Sequence, residues 1–264
     1  MTVPPDDAPR RFLRRLGSVP DEAMRVTLWR EAFDASSPTD LLAIVDATLA
    51  GAGRRNEHAR LAYQGLLAFI DSIRGHAHEP RRALYETARL AENEGVCRLL
   101  LTAPPAKAAS EAELRNPIAM GDRELTLGER RSLARTRDRG QLLRLLLDPD
   151  PGVIDILLRN PYLTEDDVLR IASRRPVAGT SLRALFRHAK WGRAGAIHRA
   201  LVLNPYTPSD IAIGLLGILE LADIRQIARE PGVSAAIRAR AAVLLREREG
   251  DPNASLVSLG DEDP

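Results

Sequence analysis

Between Val168 and Ser209 the chain carries no acidic residue, although Asp and Glu number 36 over its 264 residues. The same run holds Arg170, Arg174, Arg175, Arg183, Arg187, Lys190, Arg193 and Arg199, with His188 and His198 among them. Cationic groups without counter-charges attract phosphodiesters or carboxylates. Trp191, one of two tryptophans, lies beside Lys190 with Phe186 close before it, and aromatic faces set among basic groups serve stacked bases or interface anchors. Arg183, Arg187 and His188 fall at i, i+4 and i+5, on one face of a helix. The candidate binding set is therefore Arg174, Arg175, Arg183, Arg187, His188, Lys190, Trp191, Arg193 and Arg199. Two readings of it stay open. Either these groups form one exposed basic face, or Asp148, Asp150, Glu165, Asp166 and Asp223 neutralise it across a groove while Trp191 sits in the core.

Other reactive constellations are sparse. The sequence has no phosphate-binding loop, nucleophile elbow, zinc-protease motif, calcium loop or dinucleotide fingerprint. His76-x-His78-Glu79 offers metal-ligand types, but beside Pro80 it reads as an exposed loop. The single cysteine, Cys97, rules out a disulfide or thiolate cluster formed within this chain, and its neighbours Val96 and Leu99 suggest a small buried hydrophobe. No catalytic residue, metal or cofactor is assigned.

These side chains must be positioned by helices. Hydrophobic residues make up 44% and aromatics only 4%, so the core is aliphatic, suited to ridges-into-grooves packing rather than to strands. Residues 1–15 lack the apolar core of a signal peptide, and the longest apolar run, Ile211–Leu219, is far short of the ~20 residues of a membrane span, so a soluble cytoplasmic protein is expected. All but two of the 38 basic residues are arginine, yet the net charge is only +2, so a nucleic-acid partner is not implied globally.

One punctuation mark recurs. Asn116-Pro117, Asn160-Pro161 and Asn204-Pro205 stand 44 residues apart, the mark of stacked repeats. Asn tolerates the left-handed backbone that ends a helix and Pro forbids its continuation, so helix ends are expected at all three. Start signals follow: Thr126/Glu129, Thr164/Asp167 and Thr207/Asp210, with Ser18/Asp21, Ser37/Asp40 and Ser110/Glu113 upstream, each a hydroxyl with an acid three residues on. Leu142, Leu143, Leu145, Leu146 and Leu147 point nearly all round a helix, implying neighbours on several sides.

The stretch from Asp148-Pro149-Asp150-Pro151 through Leu158-Arg159-Asn160-Pro161-Tyr162-Leu163-Thr164 resembles the leucine-rich repeat variant, and Asn204-Pro205-Tyr206-Thr207-Pro208 matches its Asn-Pro-x-Thr-Pro core more closely. The resemblance covers about residues 112–248. It implies a right-handed α-solenoid of the HEAT-like kind that binds through side chains, with no settled activity. Two departures stand out. The 44-residue period exceeds the family's short unit, implying three helices or two fused units per repeat, and the cysteines that hold an iron–sulfur cluster in some members are missing.

The expected organisation is a helical N-terminal bundle or cap (1–101), an Ala/Pro-rich linker (102–110), the helical repeats (111–249) and an acidic tail (250–264). The leading functional expectation is a non-enzymatic protein-interaction scaffold whose basic face meets an acidic partner. The alternative is DNA or RNA binding by the 168–209 face. A glycosylase-type enzyme on this scaffold would need an acid beside the aromatics, which that run lacks. Asn160, Pro161, Thr164, Asn204, Pro205 and Thr207 read as structural.

Overall fold

The computed structural model describes residues 8–53, 56–101, 105–115, 118–120 and 123–250. They form an all-α protein of sixteen helices with one two-residue hairpin, β1 (Ala119–Met120) against β2 (Arg123–Glu124), antiparallel with Ala119 opposite Glu124. No helix among them is long and apolar enough to cross a membrane. The first break, Asn116-Pro117, and the 251–264 tail lie outside the described residues. The chain divides into two compact units, one of residues 1–102, 216–225 and 239–264, the other of residues 103–215 and 226–238.

In the first unit α1 (Ala8–Gly17), α2 (Glu22–Ala35) and α3 (Pro38–Gly53) all pack on α4 (Glu57–Ser72), and α5 (Glu79–Leu90) and α6 (Glu94–Leu100) continue the bundle over α3. The apolar spacing that marks α4 in the sequence buries Ala62, Leu66, Leu67, Phe69 and Ile70. Trp29 is fully buried and donates its indole N–H to the Ala62 carbonyl at 2.8 Å, so burying the ring leaves no orphan donor. Phe12, Phe33 and Phe69 extend the aromatic cluster, with ring centroids 4.7 to 6.3 Å apart. His78 lies edge-on to Phe33 and Phe69 and caps α5 through Nδ1, which accepts the Arg81 N–H. Cys97 on α6 is half-buried rather than buried, between Val96 and Leu99, which take the core positions.

The second unit is built from short capped helices. After α7 (Glu111–Leu114) come α8 (Leu127–Leu133), α9 (Arg139–Leu145) and α10 (Pro151–Leu158), then α11 (Glu165–Ser173), α12 (Gly179–Arg187) and α13 (Gly195–Leu203). These are two successive triplets, with α10 and α13 starting 44 residues apart. α14 (Ser209–Leu216), α15 (Leu221–Arg229) and α16 (Ala235–Glu249) follow. Of the expected capping boxes, Ser110/Glu113, Thr126/Glu129 and Thr164/Asp167 form in full, and Ser37 accepts the Asp40 N–H at 3.2 Å. Two do not form. Asp21 itself caps α2 by accepting the Met24 N–H, while Ser18 bonds back to the Arg15 carbonyl. Thr207 is buried with its hydroxyl unpartnered among the described residues, and Asp210 pairs with Arg183. The leucine run of α9 is one-sided: Leu142, Leu145 and Leu146 are buried, whereas Leu143 and Leu147 are exposed.

Helices do end before Asn160 and at Asn204, but not by the expected means. Asn204 has extended backbone, φ −89° and ψ 116°, and the one non-glycine residue at positive φ among those described is Glu92. The asparagines act through their side chains. Asn160 Nδ2 donates to the carbonyls of Ala134 at 2.9 Å and Thr136 at 2.8 Å, and its Oδ1 accepts the Tyr162 N–H at 2.9 Å. Asn204 repeats the pattern on Ala172 at 2.7 Å and Arg174 at 2.9 Å, accepting from Tyr206 at 3.1 Å. Ala134 follows α8 and Ala172 lies in the last turn of α11, where carbonyls have no donor within their own helix. Each asparagine thus satisfies the end of the first helix of its own triplet while its Pro neighbour ends the third.

A third member of the series is not an asparagine. Arg248, 44 residues beyond Asn204, donates Nη1 to the Leu219 carbonyl at 2.8 Å and Nη2 to the Gly217 carbonyl at 2.7 Å, just past α14. Again two carbonyls two residues apart are held by one side chain. Burial pushes the Arg248 guanidinium below its ordinary value, and it lies beside the Tyr63 phenol, which burial pushes up. Gly217 is required there, since a Cβ would come within 2.8 Å of the Tyr63 hydroxyl. A strictly linear stack, in which each repeat touches its neighbours alone, does not bring residues 217 and 248 against α4. The grouping of 216–225 and 239–250 with the N-terminal helices is therefore a difference from the plain solenoid expected.

A second contact recurs with its arginines at the same spacing. Arg139 on α9 forms a bidentate pair with Asp167, and Arg183 on α12, 44 residues later, pairs with Asp210 at 3.3 and 3.2 Å. Burial raises the Asp167 carboxyl, but the bonds from Arg139 and Thr164 outweigh it and hold the group down at about 2.

Two predictions follow from these contacts. Asn204→Ala removes three hydrogen bonds and is expected to cost about 2–3 kcal/mol in denaturant unfolding. Asn204→Asp is expected to cost more, since it replaces two donors with oxygens facing carbonyl oxygens; an Asp variant as stable as wild type would show that the clamp carries no weight. Because the Asp167 value lies below the ordinary 3.8, its stabilisation is complete above that range and is lost as pH falls toward about 2. The stability gap between wild type and Asp167→Asn, followed by unfolding across pH, should close over that interval.

Candidate functional site

Helix α12 starts at Gly179 and runs to Arg187, placing Ser181, Leu182 and Leu185 inward. The opposite flank carries Thr180, Arg183, Ala184 and Arg187, and with His188 these line an open groove of about 580 Å³. Its other wall is α10, which contributes Asp155 and Arg159. The i, i+4, i+5 relation of Arg183, Arg187 and His188 is thus realised as one lined surface within the second unit.

Charges in the groove are not equally available. Arg183 is 17% and Asp210 7% exposed at the side chain, so that pair is largely withdrawn from solvent and fixed. Asp155 and Arg159 pair at 2.7 Å along α10, but with side chains 40% and 71% exposed. Such a surface i,i+4 pair is worth about 0.3–0.5 kcal/mol and exchanges readily for another carboxylate. Arg187 is exposed. His188 accepts the backbone N–H groups of Lys190 and Trp191 at Nδ1, at 3.3 and 3.4 Å, which makes Nε2 the protonated nitrogen of the neutral ring. Burial lowers its pKa, the nearby carboxylate of Asp155 opposes this, and Arg159 and Lys190 reinforce it, so the ring is neutral at neutral pH.

The other candidate residues go elsewhere. Trp191 is core: it is 5% exposed and its indole N–H goes to the Leu158 carbonyl at 3.0 Å, closing the end of α10. Its 3-10 turn, Trp191–Arg193, comes so close to the end of α12 that a Cβ on Gly192 would meet the Phe186 carbonyl at 2.1 Å. Lys190 covers the Trp191 ring with Nζ 3.9 Å from its centroid, and Arg193 is half-buried in the turn. Arg174 donates to the Asp148 carbonyl at 3.2 Å, with burial lowering its pKa. Arg175 reaches the Leu203 carbonyl at 2.6 Å, and Arg199 the Gln226 side chain at 2.5 Å. Six of the nine basic-run candidates therefore support the fold or lie outside the groove, while Asp155, Arg159 and Thr180 complete it. Asp210 pairs with Arg183, and Asp148, one of the expected acids, acts on Arg174 across the fold, while Asp155 pairs with Arg159 outside the acid-free run. The i,i+4 spacing of Asp155 and Arg159, just before Asn160, was the readable signal for the second wall.

Among the described residues no cluster of three or more metal-ligating side chains occurs. No protein-family model, curated protein or solved structure matches this chain.

The contrast between the two groove arginines is measurable. Arg183→Glu breaks a largely buried pair and places two carboxylates together, and is expected to cost about 3 kcal/mol in a thermal or denaturant melt. Arg187→Glu, on the exposed flank, should cost markedly less. Equal effects would show that the difference in burial does not decide the weight of the two positions.

Proposed function

We propose that this chain is a non-enzymatic interaction module of the helical-repeat kind, related in style to leucine-rich-repeat-variant and HEAT-like right-handed solenoids, and that it binds an acidic segment of a protein partner. The observation that carries this reading is the open groove in which Arg159, Arg187 and the neutral His188 face one another from α10 and α12. Helical repeats recognise partners through side chains spread along such grooves and need no reactive centre. Two features favour binding over reaction. His188 Nδ1 is occupied by backbone N–H groups, and Asp155 is paired, so neither is poised as a general base. A carboxylate arriving at Arg159 exchanges for an exposed partner of the same kind, so displacing that partner costs little.

The 44-residue recurrence of the carbonyl clamp, and the Arg–Asp pair whose arginines recur at 44 residues and whose acids recur at 43, support the repeat reading, with three helices in each unit. Nucleic-acid binding is the weaker reading, because the aromatic that would have stacked bases, Trp191, is committed to the core.

The test is fluorescence anisotropy with glutamate-rich and lysine-rich peptides of equal length, beside single- and double-stranded DNA and RNA, at two salt concentrations. Binding of the glutamate-rich peptide, weakened about tenfold or more by Arg187→Glu, is expected. Tighter, steeply salt-dependent binding of nucleic acid would transfer the groove to the other class of partner.

A further inference from the structure

A second hollow adjoins the groove and shares one of its walls. It measures about 230 Å³ and is lined by Ala134, Arg135, Ile156, Arg159, Asn160 and Pro161, all within the second unit. Ile156 and Pro161 give it apolar surface over the fully buried Ala134, and Asn160 presents no spare donor because both of its Nδ2 hydrogens are spent on Ala134 and Thr136. The polar groups at its margin are the two exposed guanidinium side chains Arg135 and Arg159. Arg135 is held by a 2.7 Å bond to the Arg131 carbonyl, which uses one of its five N–H donors. Arg159 lines both hollows.

We infer that the partner segment, on the reading proposed above, is a short acidic-and-apolar peptide. One apolar side chain enters the hollow of Ala134, Ile156 and Pro161. Acidic residues on either side meet Arg135 at one margin and Arg159 and Arg187 at the other. The inference deepens the acidic-partner reading and depends on it. Apolar surface flanked by guanidinium groups rewards an apolar side chain between carboxylates: the side chain gains burial, and each carboxylate gains a charge-assisted bond. A phosphodiester backbone has nothing to place in an apolar hollow, and the nearest exposed ring in sequence, Tyr162, already lies beneath the Arg137 guanidinium, 5.8 Å from its carbon.

The experiment is a selection from a randomised peptide-display library on the full chain, followed by anisotropy of the selected peptides on Arg187→Glu, Arg135→Glu and wild type, all checked for helicity by circular dichroism. The expected consensus is an apolar residue bracketed by Asp or Glu. Replacing that apolar residue with Ser, or Arg135 with Glu, should each weaken binding about tenfold, as should Arg187→Glu. An acidic consensus sensitive to Arg187→Glu but indifferent to Arg135→Glu and to the apolar residue overturns this inference and leaves the acidic-partner reading standing. No enrichment, or a neutral or basic consensus, overturns both.

Discussion

An α-helix leaves its last carbonyls without donors of their own, and a protein made of helices only two turns long multiplies that problem with every element. In this chain the answer is a side chain that arrives from a later helix and takes two carbonyls at once. Asn160 does so for the end of α8, Asn204 for the end of α11 and Arg248 for the end of α14. The contact sets the distance between a helix end and the end of the second helix after it, and the Arg–Asp pairs at 139/167 and 183/210 fix the neighbouring starts. The groove depends on this geometry. Its two walls are α10, which ends at the Asn160 clamp, and α12, which follows the helix that the Asn204 clamp closes.

The groove also shows how tertiary pairing redistributes charge. In sequence the basic run from Val168 to Ser209 is uniform, eight arginine and lysine side chains without an acid. In the fold it separates into arginines that close backbone carbonyls, one that is locked to Asp210, a lysine lying on Trp191, the half-buried Arg193 and Arg199, and the exposed Arg170 and Arg187. Arginine suits every one of these jobs, since its fork of donors serves carbonyls, carboxylates and ring faces alike. Its abundance is therefore in large part architectural.

Much of the fold was legible because it is local. The helical class, the boxes at Ser110, Thr126 and Thr164, the Pro-led start of α10 and the break before Asn160 are all written within a few residues of where they act. The function of Asn160 and Asn204 was not, because their partners lie 24 to 32 residues away and a carboxamide aimed across the fold looks in sequence like one that merely ends a helix. Arg248 was invisible for a stronger reason: its residue type breaks the pattern while its position keeps it. Of the site, the face of Arg183, Arg187 and His188 could be read from helical spacing, but the second wall, and the burial of Trp191 against Leu158, depend on packing between helices.

The change from asparagine to arginine alters what the position can do for the main chain. Asn204 needs its own backbone out of the helix to reach its carbonyls, and Pro205 keeps it out; Arg248, with a longer stem, makes the same reach from inside α16, which runs uninterrupted from Ala235 to Glu249. Asn-Pro thus clamps two carbonyls while ending the helix it follows, whereas Arg248 clamps two carbonyls without interrupting the helix that carries it, so the same contact is compatible with a broken or a continuous main chain at the clamping residue.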